Sequence, residues 1–211
     1  MAVSARTLNK FGKPALFAAL LLPALWLAWN WWLAVSGGDH VLTVNPIEYT
    51  NRYLGDWAFR YLLAALAISP VADLTGFKRL ILFRRMVGLF AFAYACLHVA
   101  SYLGLDLFFD WQVFWEDVLK RNYITVGMAA LVLLTPLAIT STNKMVKRLG
   151  VARWQRLQRL VYPAAILVAV HYIMMVKSIQ LEPLIYAGIL AVLLGFRLIR
   201  RAVGRVRLSE R

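Results

Sequence analysis

Two histidines, His98 and His171, lie inside long apolar stretches of the chain, each about half a dozen residues before the end of a run of roughly 20 hydrophobic residues. An ionisable side chain within a membrane span marks a functional site by default. Neutral imidazole is the form expected in hydrocarbon and the form that donates a lone pair to a metal. Both runs are expected to cross in the same direction, which sets the two rings facing each other at matched depth, as two axial ligands of one haem iron require. Iron held by two histidines has no open coordination position, so it transfers electrons and does not activate oxygen. Two histidines with no carboxylate or thiolate beside them make a poor zinc or non-haem iron site. Cys96 is the single cysteine and stands outside any C-x-x-C-H motif, so a haem here is expected to be b-type, and Cys96 itself is read as a small core residue.

The elements that position these residues are apolar helices. The chain has 211 residues, 62% hydrophobic and 16% charged, which excludes an ordinary soluble domain. Runs long enough to span a bilayer fall near 14–35, 54–72, 81–104, 122–140, 157–176 and 182–200. The fold expected is all-α, an integral membrane six-helix bundle forming one domain over 1–211. The first run exceeds the h-region of a signal peptide and is expected to be retained.

The net charge of +14 is a topology signal rather than a nucleic-acid footprint. Lys and Arg on alternate sides of the six spans divide 19 to 5, while eight of the ten acidic residues lie on the poorer side. The positive-inside rule then puts both termini in the cytoplasm, and a multi-pass protein of the bacterial inner membrane is expected. No acidic residue is expected deep in any span, which argues against a proton relay or a transporter.

Trp26, Trp29, Trp31 and Trp32 form an aromatic belt at the end of the first span, and Pro23 is expected to bend it. His40, in the outward loop Ser36–Tyr53, is read as an ordinary solvated histidine. Phe108–Lys120 reads as a short periplasmic interfacial helix, with Phe108, Trp111, Phe114, Trp115, Val118 and Leu119 on one face and Asp110, Glu116 and Asp117 largely opposite. A helical break is expected after Leu149, at a glycine.

On the third span the face below His98 carries Ala95, Ala91, Gly88 and then Arg84 or Arg85, with Tyr102 one turn above; Phe90, Phe92 and Tyr94 are expected to point elsewhere. Small residues leave room for a flat macrocycle or permit close helix packing. On the fifth span Ala164, Leu167 and Val168 share the His171 side, and Pro163 is expected to kink the helix. Arg60 enters the second span from the outward side, where it either snorkels to headgroups or pairs with a haem propionate.

The stretches RRMVGLFAFAYACLHVASY (Arg84–Tyr102), TPLAITSTNKMVKRLGVARWQRLQRLVYPAAILVAVHY (Thr135–Tyr172), PLIYAGILAVLLGFR (Pro183–Arg197) and LAISPVADL (Leu66–Leu74) resemble the MsrQ (YedZ) family of ferric-reductase-like membrane proteins. The resemblance implies that His98 and His171 ligate a b-type haem in an electron-transfer subunit. It implies that electrons pass outward to MsrP, a periplasmic molybdenum-cofactor reductase that repairs oxidised methionine in proteins. The donor would be the quinone pool or a cytoplasmic flavin reductase, and FMN is an associated cofactor. Substrate reduction would lie on the partner, so no catalytic residue is expected in this chain.

Ferric-reductase-like proteins often hold a second haem through histidines about 13 residues before the outer ligands, ~20 Å along the helix. Those positions here hold Arg84 or Arg85 and Gln158. A second, inner bis-histidine haem is therefore not expected. The inner site is empty, uses weaker ligands, or takes flavin or quinone against Arg84 and Arg85; positive-inside anchoring is the other reading of these arginines. No G-x-G-x-x-G occurs and the tail is short, so a separate donor is expected. A quinol-linked cytochrome b serving another acceptor, and a cofactor-free transporter or assembly factor, are the alternative readings.

Overall fold

The structure, a computed structural model, describes residues 5–176 and 180–209, the side chains of residue 5, Arg201 and 203–209 excepted. Lys177, Glu210 and Arg211, which enter the charge balance, lie outside the described residues. Six helices among the described residues are long and apolar enough to cross a membrane, and the described residues contain no strand.

Helix α1 (Lys13–Ser36) follows a π-type turn over Leu8–Gly12 and ends at Gly37, whose φ of 77° a side chain would resist. Pro23 lies inside α1, where its ring cannot donate to the ladder. The ladder is opened next to it. The Ala24 N–H donates 2.9 Å to the Tyr94 hydroxyl, and the Leu20 carbonyl accepts from both Tyr61 and Tyr94 hydroxyls at 3.0 Å. Two tyrosines thus satisfy main-chain groups at the proline and fasten α1 to its neighbours.

Helix α2 (Pro46–Leu74) starts about two turns earlier than hydropathy indicates. Asn45 caps it, accepting from the Glu48 N–H at 3.2 Å, and Pro46 suits the first turn. This polar first part brings Asn51 beside His98 and the half-buried Asp56 beside Tyr172. Helix α3 (Ile81–Ser101) packs along α2 and continues into a π-type turn, Tyr102–Asp106.

The interfacial helix α4 (Trp111–Lys120) is capped by Asp110, which accepts from the Val113 N–H at 3.0 Å. Its inward face holds Phe114, Val118 and Asp117, while Trp111, Trp115 and Leu119 are exposed. Asp117 was expected opposite the apolar face. It is instead buried, accepting from the Tyr102 hydroxyl and pairing with Arg121 at 2.8 Å, because those two donors cancel the cost of burying a carboxylate. Phe108 precedes the helix, in a turn where it and Phe109 take positive φ.

Helix α5 (Asn122–Ile139) packs along α8 (Val161–Met175), and α9 (Leu181–Ser209) covers α8 and α2. Between α5 and α8 lie two short helices, α6 (Asn143–Leu149) and α7 (Val151–Leu157), broken by Gly150 at φ 76° as expected. A 3-10 turn over Gln158–Leu160 leads into α8, and Pro163 lies in the first turn of that helix, where a missing N–H is tolerated. The bundle is therefore two tightly packed pairs, α2 with α3 and α5 with α8, joined where α3 meets α5 and by α9 across α8 and α2.

Candidate metal centre

His98 projects from α3 and His171 from α8, and their rings approach to 6.2 Å between centroids with planes 75° apart. Each ring is held by a main-chain carbonyl of its packing partner. His98 Nδ1 lies 2.8 Å from the Asn51 oxygen on α2, and His171 Nδ1 lies 2.6 Å from the Tyr123 oxygen on α5. A carbonyl only accepts, so both Nδ1 atoms carry the proton and both Nε2 atoms keep their lone pairs. That is the tautomer a metal needs, fixed by the carbonyl behind each ring.

The two carbonyls are reachable for one reason. A helical carbonyl already accepts from the N–H four residues on, and here those residues are Gly55 and Gly127. A Cβ on Gly55 would stand 3.1 Å from His98 Nδ1, and one on Gly127 would stand 2.9 Å from both Nδ1 and Cε1 of His171. Without side chains there, each imidazole lies against the backbone and uses the carbonyl's second lone pair. Asn51 adds a return bond: its side-chain amide donates to the His98 carbonyl at 3.1 Å and to Ser101 Oγ at 3.2 Å.

The residues present fit a bis-histidine haem. Two imidazole nitrogens bound on opposite sides of one ion at about 2 Å place ring centres roughly 6 Å apart, as the two rings are here. Among the described residues there is no group of three or more His, Cys, Asp and Glu able to hold a metal otherwise. Asp56 is the residue after Gly55, and its carboxylate lies within reach of the Tyr172 hydroxyl, on the residue after His171.

The remaining sequence candidates separate into two groups. Arg60 and Tyr102 are engaged away from the two rings. Arg60 donates from Nε to the Tyr186 hydroxyl at 2.6 Å and pairs with Glu182 at 3.1 Å, joining α2 to α9. Tyr102 holds α4 through Asp117. Arg84, Arg85 and Gln158 instead come together around a cavity of about 470 Å³ toward the other end of the bundle, also lined by Gly88, Leu89, Phe92 and Trp154. Phe92 was expected to point elsewhere; it faces this cavity because it shares a helical stripe with Arg85, Gly88 and Leu89. Phe90 and Tyr94 do point away, toward Phe17 and Leu20 of α1. Ala91 is buried, and Cys96 is exposed rather than in the core. His40 accepts from the Leu42 N–H at 3.3 Å within its own loop.

Gln158 repeats the His171 arrangement in amide form. It lies thirteen residues before His171, and its Nε2 donates 3.2 Å to the carbonyl of Leu137, fourteen residues after Tyr123. The antiparallel pair α5 and α8 thus offers two carbonyl sites at two depths, one met by an imidazole and one by an amide.

Sequence reasoning missed Asn51, Gly55, Tyr123 and Gly127. The available signal was the pair of glycines interrupting apolar helices at similar distances before each histidine, since an interior helical glycine is unfavourable unless something approaches closely.

A family model described as the ferric reductase like transmembrane component matches residues 54–169 of the chain. A protein of Rhodospirillum rubrum is 54% identical over 201 residues, covering 93% of this chain and 94% of its own length. Proteins of Xanthomonas euvesicatoria (47% over 193 residues, 92% of this chain and 88% of theirs) and Caulobacter vibrioides (47% over 179 residues, 85% and 82%) are also similar. All three bear the name protein-methionine-sulfoxide reductase heme-binding subunit MsrQ.

Proposed function

Since the chain belongs to the MsrQ family of ferric-reductase-like transmembrane proteins, we propose that it is the haem-binding membrane subunit of a protein-methionine-sulfoxide reductase system, an electron carrier whose substrate chemistry lies on a partner. The observation that carries this reading is the pair of facing imidazoles, each with Nδ1 committed to a carbonyl and Nε2 left to bind iron. A b-type haem held by His98 and His171 would supply a one-electron carrier with no open position for oxygen.

What the chain's own residues do follows from their packing. Asn51 and Tyr123 hold the ligand protons at Nδ1, and Gly55 and Gly127 set how near the rings stand to the backbone. The glutamine at 158 and arginines at 84 and 85 replace a second histidine pair, so one haem per chain is assigned. The inner cavity, apolar with a basic margin, suits a quinone ring or the FMN of a flavin system. Arg60 and Tyr102 are assigned to holding α9 and α4 around the centre.

The charge distribution supports placing both termini in the cytoplasm of a bacterium, with the histidine pair toward the periplasm. Electrons then enter from quinol or a cytoplasmic flavin reductase and leave to a periplasmic MsrP-type molybdenum-cofactor enzyme. The purified protein, produced with ample haem, is expected to be red with a reduced b-type α band, lost in His98→Ala and in His171→Ala. A colourless, folded wild-type protein would overturn the reading. Failure of the reduced protein to reoxidise with an MsrP-type enzyme would remove that partner and leave the haem assignment standing.

A further inference from the structure

The two ends of the bundle neutralise their cations differently. At the end nearer the histidine pair, each described lysine and arginine has a carboxylate: Arg52 with Glu48, Arg60 with Glu182, Lys120 with Glu116 and Arg121 with Asp117, all at 2.8–3.1 Å. At the basic end, Asp73 is the one described carboxylate, and Lys78 and Arg200 share it. Arg84 and Arg197 stand beside these groups, partly buried, and among the described residues neither pairs with a carboxylate.

Arg197 reaches in from α9. It donates to the Tyr162 hydroxyl at 2.7 Å and to the Leu66 carbonyl at 2.6 Å, while its buried Nε has no hydrogen-bond partner among the described residues. Arg84 reaches in from α3 and makes a long 3.4 Å bond to the Ser69 hydroxyl. With Arg200, Asp73, Tyr162 and Phe196 they line a cavity of about 340 Å³ between α2, α3, α8 and α9. Buried guanidinium groups require a counter-anion with acceptors to match their donors. A phosphate offers several oxygens to more than one guanidinium at once.

We propose that this cavity binds a phosphate group, and that the phosphate is the headgroup of an acidic phospholipid. The residues flanking the lining positions are apolar and exposed: Val71 and Leu74 on α2, Leu198 and Ile199 on α9. Acyl chains lie along that surface while the phosphate enters among Arg84, Arg197 and Arg200. Basic pockets between membrane helices on the cytoplasmic side recognise anionic headgroups in this way. The bound lipid joins α9 to the α2–α3 pair, and the site is independent of what the histidines ligate.

The test uses the full-length protein in mild detergent. Native mass spectrometry reads the phospholipid retained from the membrane. Thermal unfolding of delipidated protein reads stabilisation by phosphatidylglycerol, phosphatidylcholine or inorganic phosphate. Wild type is expected to retain phosphatidylglycerol and to be stabilised by it more than by phosphatidylcholine. Arg84→Gln, which among the described contacts gives up only the bond to Ser69, is expected to weaken retention by roughly fivefold or more. Arg197→Gln also breaks helix contacts, so Arg84→Gln is the deciding variant, and Lys147→Gln on exposed α6 controls for lost net charge. Equal retention in Arg84→Gln and wild type, or equal stabilisation by the two lipids, would overturn the proposal. A shift with inorganic phosphate alone as large as with phosphatidylglycerol would overturn the lipid as source while keeping the phosphate site.

Discussion

The imidazole of His171 stands so close to Gly127 that a Cβ at that position would lie 2.9 Å from its Nδ1 and Cε1. Alanine normally stabilises a helix interior over glycine by about 0.5–1 kcal/mol. Gly127→Ala is expected to reverse that sign, because the ring must leave the Tyr123 carbonyl. Overpacking of this kind costs about 1–3 kcal/mol, a roughly fivefold or greater loss of haem affinity. Haem content per chain, measured as the pyridine haemochrome, checks this. Gly55→Ala, with its nearest approach at 3.1 Å, is expected to give the same change with smaller amplitude. Full haem content in both variants would show that the close approach has no bearing on ligation.

Asn51 is bonded to His98 through both its main chain and its side chain. Asn51→Ala keeps the carbonyl that meets Nδ1 but loses the return bonds to the His98 carbonyl and Ser101. The expected result is a haem that still binds, in a protein destabilised by about 1 kcal/mol per lost bond. Haem release during thermal unfolding checks it: release at a lower temperature with an unchanged spectrum at room temperature is the expected pattern.

Asp56 adds a carboxylate at the level of the histidines, beside Tyr172. A negative charge near a haem favours the ferric state, which carries one more positive charge than the ferrous. Asp56→Asn is therefore expected to raise the midpoint potential by on the order of tens of millivolts. Spectroelectrochemical titration decides it, and an unchanged or lowered potential would count against a charged Asp56 near the iron.

Gln158 already contacts a carbonyl of α5 as His171 does, so Gln158→His directs a ring toward Leu137. A single imidazole is expected to leave haem content near one per chain. Gln158→His combined with Arg85→His, both lining the inner cavity, is expected to raise it toward two. A rise in the single variant would mean that another side chain serves as the sixth ligand.

The Tyr102 hydroxyl and Arg121 together neutralise the buried Asp117. Tyr102→Phe removes one of them and is expected to loosen α4 by about 1–3 kcal/mol while leaving the haem spectrum in place. Faster hydrogen exchange confined to Trp111–Lys120 is the signature to look for.

Much of this was legible in the sequence because hydrophobic run length alone specifies a spanning helix. Six runs predicted six crossing helices, and all six appear. The errors arose where polar residues are carried inside by partners a sequence does not show. Hydropathy falls before residue 54 and makes 36–53 an outward loop, yet α2 begins at Pro46 under the Asn45 cap and carries Asn51 to His98. Asp117 falls largely opposite the apolar face by helical spacing, and its burial rests on donors from Tyr102 and Arg121 that spacing does not show. His98 and His171 stood out as rare ionisable groups in apolar runs. Gly55 and Gly127 did not, since glycine is common in membrane helices and their signal lies only in the matched spacing before the two histidines.

Each histidine is fastened within its own helical pair, His98 to α2 and His171 to α5. The two pairs occupy separate stretches of the chain, so they emerge from the ribosome one after the other. Each half of the centre, ring and carbonyl together, is thus written into one continuous stretch of chain. The centre itself is a seam between two such halves, with one oriented imidazole contributed from either side.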